Sequence, residues 1–317
     1  MLDKYKEETS IDEIGKVGTL ANGGKGSGNW GHSGRPGLVG GSGKGALVHP
    51  DLRWVVTAGR RGDEIDMERL LSSKAVQNAM KRSAYEKNTL EEYAGDKKRE
   101  ALQNELADRL VDDKVNGAMR KNEEGKKVYD GEVAQERKAF IVIGPPAAGK
   151  SSVFADPLSR DNKARIVDSD TVKGWLPEFD KGFGAGRVQA ESDKIMQAGL
   201  AKAIANGDNI VLPKIGGKSV LAIAKQLKDS GYSVSLHYNE VKTNTSIARA
   251  MSRFAETGRF LDPSYLKSIG DKPKNTFKSS ANEKSLFDYA EWKNNDVKFG
   301  QEPKLIWKSG DDTKKLK

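Results

Sequence analysis

Short apolar runs alternate with longer amphipathic segments along the C-terminal part of the chain, from residue 136 to residue 317. The runs are rich in β-branched residues, which favour buried strands, and the segments between them repeat apolar residues at helical spacing. The pattern predicts strands at residues 139–143, 164–167, 209–212, 232–238 and 304–307, and helices at residues 191–206, 220–229 and 243–256. Gly258 is expected to end the last helix, and the chain beyond Asp262 is expected to be less regular. Alternation of this kind predicts an α/β domain with a mainly parallel sheet.

Residues 63–135 have a helical pattern instead. Two amphipathic helices are predicted, and Gly95 and Gly117 are expected to interrupt or end them. Their apolar faces contain Ile65, Leu70, Leu71, Val76, Ala79 and Met80 in the first helix and Leu90, Tyr93, Ala94, Ala101, Leu102, Leu106, Leu110 and Val115 in the second. Such helices need an apolar surface to cover, so they are expected to pack on the α/β domain as a hairpin or to mediate self-association.

Residues 1–62 are predicted to be a flexible, disordered tail, because the glycine, serine and lysine that dominate residues 15–45 cannot bury enough apolar surface to offset chain entropy. Trp30 and His32 are either incidental residues of a linker or part of a docking or processing peptide. The stretch from Gly28 to Ser42 resembles a short module of bacteriophage head and portal-associated proteins. That resemblance implies a phage origin and a possible association with the phage particle.

The composition narrows the class of protein. Hydrophobic residues make up 36% of the chain and charged residues 31%, and no apolar run approaches the roughly 20 residues of a membrane span. The N-terminus lacks the layout of a secretory signal, and the absence of cysteine excludes disulfides and thiolate metal sites. A soluble protein of a bacterial cytoplasm, or of a virion, is expected. The net charge of +9 favours anionic ligands, whereas nucleic-acid binding is disfavoured because no aromatic-basic pattern accompanies it.

The strongest motif lies at residues 144–151, Gly-Pro-Pro-Ala-Ala-Gly-Lys-Ser, which fit the phosphate-binding pattern G-x-x-x-x-G-K-S. A predicted strand precedes it and a helix can open after it, as the pattern requires. Backbone N–H groups and the helix N-terminus converge on the β-phosphate, while Lys150 reaches the β/γ oxygens and the Ser151 hydroxyl binds Mg²⁺. The predicted site for ATP or GTP comprises Gly144, Ala147, Ala148, Gly149, Lys150, Ser151 and Ser152. The alternative is a Gly/Pro turn that contains a lysine by chance.

Two carboxylates follow the second predicted strand. Ligands of open α/β sheets lie beyond the carboxyl ends of the strands, so Asp168 and Asp170 are expected beside Lys150 and Ser151. Asp170 is the predicted base, an exposed carboxylate near its reference pKa of about 3.9. Asp168 is expected to touch Mg²⁺ through water or to cap the next helix, and both aspartates could be caps alone.

Phosphoryl transfer also needs cations close to the equatorial oxygens of the transferred phosphoryl group. Arg253 and Arg259 are the candidates, and Arg249, one turn before Arg253, could share that face or pair with an acid. The histidines, at His32, His49 and His237, have no metal-ligand spacing.

The phosphate loop, the strand tip at residues 166–171 with residues 175–180 after it, and the segment from Arg253 to Arg259 together resemble the zeta-toxin family of kinases. The resemblance covers roughly residues 140–266. It implies a P-loop kinase core that transfers phosphate from ATP to the 3′-hydroxyl of UDP-N-acetylglucosamine and is held silent by a helical antitoxin. It also implies that Lys150 and Ser151 bind ATP and Mg²⁺, that Asp170 is the base, and that Arg253 and Arg259 stabilise the transferred group.

One departure from the family concerns the acceptor. Family members with sugar-nucleotide activity carry a glutamate after the third strand, in Ile-Glu-Gly-Thr, whereas this chain has Pro213 and Lys214 there. In this respect the chain resembles a phage-associated branch of the family. The sequence therefore leaves two alternatives to a UDP-sugar kinase: another P-loop kinase of a small molecule or nucleic-acid end, and a phage accessory protein with a regulatory nucleotide site. The helices of residues 63–135 could act as an internal antitoxin, or a separate protein could inhibit.

Overall fold

A computed structural model describes residues 47–61, 64–85, 87–298, 300–312 and 316. Most of the predicted tail, including Trp30, His32 and the phage-like stretch, lies outside these residues. Over the residues that are described, no helix has the length and apolar character needed to cross a membrane.

The N-terminal region is helical, but its helices are shorter than the sequence predicts. After a 3₁₀ turn at Pro50–Leu52 come helices α1 Arg53–Arg61, α2 Met67–Ser72, α3 Lys74–Arg82, α4 Thr89–Glu92, α5 Lys97–Arg109 and α6 Asp113–Asn116. Helices α2 to α6 each begin after a polar residue whose side chain accepts a backbone N–H of the first turn: Asp66, Ser73, Asn88, Asp96 and Asp112. These N-caps start a new helix at each point, so two predicted helices become five.

The boundary predicted for the tail is also wrong. Residues 50–61 are helical, and Leu52, Val55 and Val56 are buried in a core cluster with Ile247 and Met251 of a C-terminal helix. The short apolar face of this helix is enough to bury it against the domain, because it packs on an apolar helix that is distant in sequence.

The strands form one eight-stranded sheet in the order β2-β1-β4-β5-β3-β6-β7-β8. Their bounds are β1 Ala118–Lys121, β2 Lys127–Gly131, β3 Lys138–Ile143, β4 Arg165–Ile166, β5 Ile210–Lys214, β6 Ser233–Glu240, β7 Tyr289–Asn294 and β8 Lys304–Lys308. The central strands β4, β5, β3, β6 and β7 are parallel to one another, whereas β1, β2 and β8 pair antiparallel at the edges. The predicted mainly parallel α/β fold is therefore confirmed. The hairpin β1–β2 corrects the prediction that residues 63–135 are all helical.

Helices cover the two faces of this sheet. A π-helical turn at Ser151–Ala155 continues into α7 Asp156–Asp161, followed by α8 Ser169–Lys173, a 3₁₀ segment Pro177–Gly182, α9 Gln189–Asn206, α10 Lys218–Asp229, α11 Thr243–Thr257, α12 Pro263–Ile269 and α13 Lys272–Ser280. Gly258 ends α11 in the left-handed conformation, with φ of 74°, as predicted. The chain beyond Asp262 is more regular than expected, since it forms α12, α13 and β7.

Pro213 lies inside β5, although the sequence predicts that the strand ends before it. In the parallel pairing with β3, Val142 lies opposite Pro213 and Ile143 opposite Lys214. On the other side, β4 ends at Ile166, and the Val167 N–H donates to the Val211 carbonyl at 2.9 Å. Residues 211 and 213 direct their backbone groups to the same edge of β5, the edge that faces β4. Because β4 ends at Ile166, a backbone N–H at residue 213 would have no strand to bond to on that edge. Proline is tolerated for that reason, and the strand carries Lys214 to its tip.

The N-terminal helices are part of the core. Leu106 of α5 and Leu110, its C-cap, belong to the same buried cluster as Ile195 and Leu200 of α9. The packing is close at Gly199, where an added Cβ would lie 2.8 Å from Leu110 Cδ1. Helix α5 therefore covers α9 as a structural layer.

A buried ion cluster joins the same two helices. Arg99 of α5 donates from Nε to Glu191 Oε1 at 2.7 Å and from Nη2 to Glu178 Oε2 at 3.0 Å. Gln103 Nε2 donates to the same Glu191 oxygen at 2.8 Å. The Arg99 and Glu191 side chains are only 5% and 0% exposed. Burial raises the pKa of Glu191, but the hydrogen bonds from Arg99, Thr89 and Gln103, together with the Arg99 charge, outweigh it, and the net pKa is lowered.

Replacement of Arg99 is expected to destabilise the fold strongly. Arg99→Met leaves Glu191 buried without its cation, which typically costs about 3–5 kcal/mol. The free energy of unfolding in urea measures the loss. Arg120→Met is the matched control, because Arg120 pairs with Asp130 on the surface and its replacement should destabilise the fold far less. Equal losses in the two variants would contradict a role for the buried cluster.

The same pair predicts a pH dependence. A lowered folded-state pKa of Glu191 means that its stabilising contribution is present above the ordinary value of 4.5 and is lost as pH falls through the lower folded value. In Arg99→Met, the bonds and charge of Arg99 no longer oppose burial, so the pKa of Glu191 rises relative to wild type and protonation relieves the buried charge at higher pH. We expect the stability difference between wild type and Arg99→Met to be smaller at about pH 4 than at about pH 7, from urea unfolding at both. A constant difference would show that packing, not charge, explains the loss.

Candidate active site

The loop at residues 144–150 connects β3 to the π-helical turn. Gly144 has φ of 151°, and a Cβ there would lie 2.5 Å from the Asn239 carbonyl oxygen, so only glycine fits. Ala147 and Gly149 have φ of 56° and 87°. Lys150 Nζ donates to the Gly144 and Pro145 carbonyls at 2.8 and 3.0 Å. The lysine therefore lies across the mouth of its own loop.

The Ala148 carbonyl is held from outside the loop by three donors. Asn239 Nδ2 lies 2.9 Å away, Asn295 Nδ2 2.6 Å and Arg249 Nη1 3.2 Å. Because the C=O and N–H of a trans peptide point in opposite directions, these bonds direct the Gly149 N–H away from the three side chains. The anchor thus presents a loop donor to a ligand of the cleft. Arg249 acts structurally here, and it also donates to the Asn295 carbonyl at 2.7 Å.

The two predicted aspartates lie at the tip of β4, and both line the same cleft as Lys150 and Ser151. Asp168 is the N-cap of α8, and its carboxylate accepts the Asp170 N–H at 3.1 Å. Asp170 accepts from Lys173 Nζ at 2.9 Å and lies 3.7 Å from Arg259 Nη2. Asp168 is therefore a cap, as one of the two interpretations expected, and its position also allows contact with a bound cation.

The two carboxyl groups have opposite acidities. The Lys173 charge lowers the pKa of Asp170 well below its usual range, with Arg259 adding to the effect against burial. Burial, together with the nearby Asp170 charge, raises the pKa of Asp168 to about 6. The expectation of an unperturbed Asp170 is therefore wrong, because the sequence did not reveal Lys173 as its neighbour. Asp170 is ionised at neutral pH.

The two arginines also reach the cleft from the end of α11. Arg253 and Arg259 both line it, and Arg259 lies over the Phe179 ring with its guanidinium carbon 5.8 Å from the ring centroid. Burial lowers the pKa of Arg253 to about 10, and the charge of Arg259 contributes. Arg253 is therefore charged at neutral pH, and both arginines line the same cleft as the phosphate loop.

The cleft has a volume of about 430 Å³ and contains residues that the sequence did not single out. Among them are Lys173, Gln189, Asp193 and Tyr265, and Gln189 Nε2 donates to Asp193 at 2.7 Å. They come from α8, α9 and α12, and each is a single polar or aromatic residue in an ordinary amphipathic segment. The i, i+4 spacing of Gln189 and Asp193 is the one local signal that links two of them.

Cations outnumber carboxylates in this cleft, six to three. The cations are Lys150, Lys173, Lys214, Lys272, Arg253 and Arg259, and the carboxylates are Asp168, Asp170 and Asp193. Within the described ranges, no group of three or more His, Cys, Asp or Glu residues could hold a metal ion by itself. The Ser151 hydroxyl and the Asp168 carboxylate suit Mg²⁺, which is usually bound by one or two protein oxygens together with phosphates and water. The cleft therefore suits an anionic ligand that itself supplies oxygen ligands to the metal ion.

The N-terminal helices do not close this cleft. Its lining residues run from Pro146 to Lys272, and none comes from α1 to α6. Together with the Arg99 cluster, this favours the alternative, in which these helices are a layer of the fold, over an internal antitoxin.

Comparison with known proteins assigns the family. The family model described as Zeta toxin matches residues 121–297, more than half of the chain. No match to a curated protein reaches significance.

Distant likenesses to solved structures accompany this match. One is described as the PezAT chromosomal toxin-antitoxin system of Streptococcus pneumoniae, at 15% identity and a TM-score of 0.44, and it covers 57% of this chain and 75% of that chain. The AvrRxo1-ORF1:AvrRxo1-ORF2 structure with sulphate ions has 14% identity and a TM-score of 0.39 and covers 86% of this chain and 74% of that one. The structure with ATP has 16% identity and a TM-score of 0.42 and covers 84% and 74%. All three TM-scores lie below 0.5, so the assignment rests on the family model: this chain belongs to the zeta toxin family.

Proposed function

We propose that this chain is an ATP-dependent kinase that phosphorylates a hydroxyl group of a small molecule. The observation that carries the proposal is the cleft itself, which combines a glycine-anchored phosphate loop, Lys150, Arg253 and Arg259 with an ionised carboxylate at Asp170. Transfer of a phosphoryl group requires positioned cations and an oriented nucleophile, and little else from the protein.

In the proposed reaction, the acceptor oxygen forms a bond to the γ-phosphorus of ATP, the bond from that phosphorus to the β–γ bridging oxygen breaks, and ADP leaves. Lys150 neutralises the β/γ oxygens, and Arg253 and Arg259 hold the equatorial oxygens of the transferred group. Asp170 orients the acceptor hydroxyl and receives its proton. Because Lys173 and Arg259 favour ionised Asp170, it is a weak base, and the proton moves late, as the acceptor oxygen bonds to phosphorus.

Mg²⁺ would be held by the Ser151 hydroxyl and, directly or through water, by Asp168. When bound, the ion would neutralise charge on the β and γ oxygens. The capping bond from the Asp170 N–H occupies only part of the Asp168 carboxylate, which has lone pairs for a second contact.

The acceptor proposed first is a UDP-sugar such as UDP-N-acetylglucosamine, because the chain belongs to the zeta toxin family. Pro213 and Lys214 at the tip of β5 remove the acidic group expected there, so a different small-molecule acceptor is the second candidate. Since the described helices leave the cleft open, we propose that any antitoxin is a separate protein.

The proposed function is tested by incubating the protein with labelled ATP, Mg²⁺ and a panel of UDP-sugars. Lys150→Ala should abolish label transfer, because it removes the point charge on the β/γ-phosphates, and should leave the folded state intact. Lys225→Ala is the matched control, since Lys225 pairs with Asp229 on the exposed face of α10. Transfer by Lys150→Ala at the wild-type rate would refute the proposal.

Asp170→Asn is expected to lower kcat by about 10²- to 10⁴-fold while the affinity for ATP changes little, because the amide keeps the shape of the side chain but cannot accept the proton. Steady-state kinetics with the best acceptor of the panel measures both. Asp180→Asn is a matched control near the cleft, where Asp180 pairs with the exposed Arg82. If Asp168→Asn is inactive and Asp170→Asn is nearly wild type, the base is Asp168.

The anchor of the phosphate loop predicts an effect on nucleotide binding. Asn295→Ala removes one of the bonds to the Ala148 carbonyl and should weaken binding of a non-hydrolysable ATP analogue by about 2- to 12-fold, the equivalent of one net hydrogen bond. Calorimetric titration measures the dissociation constant. Asn294→Ala is the control, because the neighbouring Asn294 amide donates to Glu240 instead. Equal effects of the two substitutions would mean that loop anchoring is not the cause.

A further inference from the structure

Lys214 is a cation of the cleft that forms no ion pair with a described residue. It lies at the tip of β5, opposite Ile143, the last residue before the phosphate loop. Its side chain is half-buried and lines the cleft, and the contact of its ammonium group is with the Met196 sulfur at 3.6 Å. No described carboxylate approaches its Nζ within 4.0 Å, whereas Lys173 in the same cleft pairs with Asp170 at 2.9 Å.

Without a ligand, the partial burial of the Lys214 ammonium group is energetically unfavourable. Burial lowers its pKa, and the more distant charges of Asp168, Asp193 and Asp170 offset the effect only in part. A partly dehydrated ammonium group with no partner gains more from an incoming anion than a hydrated lysine on the surface does. The cleft therefore has an anion-binding position in addition to the phosphate loop.

This position lies at a different wall of the cleft from Lys150. The Lys150 ammonium group donates to the Gly144 and Pro145 carbonyls of the phosphate loop. The Lys214 ammonium group instead contacts the Met196 sulfur of α9, the helix that also supplies Gln189 and Asp193 to the cleft. The cleft thus has a nucleotide half at the phosphate loop and a second half, against α9, that contains Lys214.

We propose that Lys214 determines acceptor specificity by binding an anionic phosphate group of the acceptor, so that phosphate-bearing acceptors are selected over neutral ones. The proposal rests on the proposed kinase function, since it assigns the second half of the cleft to the acceptor. A phosphate of a nucleotide and a phosphate of a sugar would supply the same chemistry. The rival assignment, in which Lys214 holds the γ-phosphate of ATP, is an outcome of the test.

The experiment is a calorimetric titration of the full chain saturated with Mg²⁺ and the non-hydrolysable analogue AMP-PNP. The probes are matched pairs with and without phosphate: UMP and uridine, AMP and adenosine, and N-acetylglucosamine 1-phosphate and N-acetylglucosamine. Wild-type protein should bind the phosphorylated member of at least one pair about 10- to 100-fold more tightly, the range of a charge-assisted hydrogen bond. Lys214→Met should remove most of that preference and change the AMP-PNP affinity less than about twofold.

Two variants control for folding and for general charge. Lys214→Arg keeps the cation and should retain a phosphate preference, and Lys214→Gln is a second neutral variant in case the methionine is not tolerated. Lys218→Met removes an exposed lysine outside the cleft and should behave as wild type.

Three results would overturn the proposal: no phosphorylated probe binds, the preference survives in both neutral variants, or AMP-PNP affinity falls while the preference is unchanged. The last result would assign Lys214 to the nucleotide. If AMP-PNP itself does not bind wild-type protein, the proposed kinase function fails, and the same ratios measured without nucleotide then decide the role of Lys214.

Discussion

The candidate site depends on one constraint, the alignment of parallel strands that brings their carboxyl ends to one edge of the sheet. Ile143 of β3 lies opposite Lys214 of β5 on one side and Tyr238 of β6 on the other. The residues that follow these positions therefore meet: the phosphate loop after β3, and Asn239, which holds the Ala148 carbonyl, at the end of β6. A shift of one residue in this register would turn each of these side chains to the opposite face of the sheet.

Neighbouring charges give chemically similar residues of the cleft different electrostatic properties. Lys173 and Lys214 both reach the cleft, but only Lys173 is within ion-pair distance of a described carboxylate. Asp168 and Asp170 are two residues apart, yet burial raises the pKa of the first and the Lys173 charge lowers that of the second. The separation of the two pKa values keeps Asp170 ionised at neutral pH although Asp168 lines the same cleft.

The N-terminal helices contribute stability and a fixed position for the cleft segments. Arg99 bonds both to Glu191, in the first turn of α9, and to Glu178, in the 3₁₀ segment whose Phe179 lines the cleft. One buried guanidinium thus connects the outer helical layer to a wall of the site. Because the helices pack in the core and leave the cleft open, inhibition by them is not part of the described fold.

The sequence by itself determined the α/β pattern, the phosphate loop and the tip at Asp168 and Asp170, because alternating apolar periods and a fixed motif spacing are local properties. It did not determine the short capped helices, the β1–β2 hairpin or the strand through Pro213, where tertiary partners outweigh local preference. Nor did it reveal the pairing of Arg99 with Glu191, which joins residues 92 positions apart, or that no described carboxylate pairs with Lys214. Contacts of this kind form only when distant segments are packed together, so the tertiary structure alone decided them.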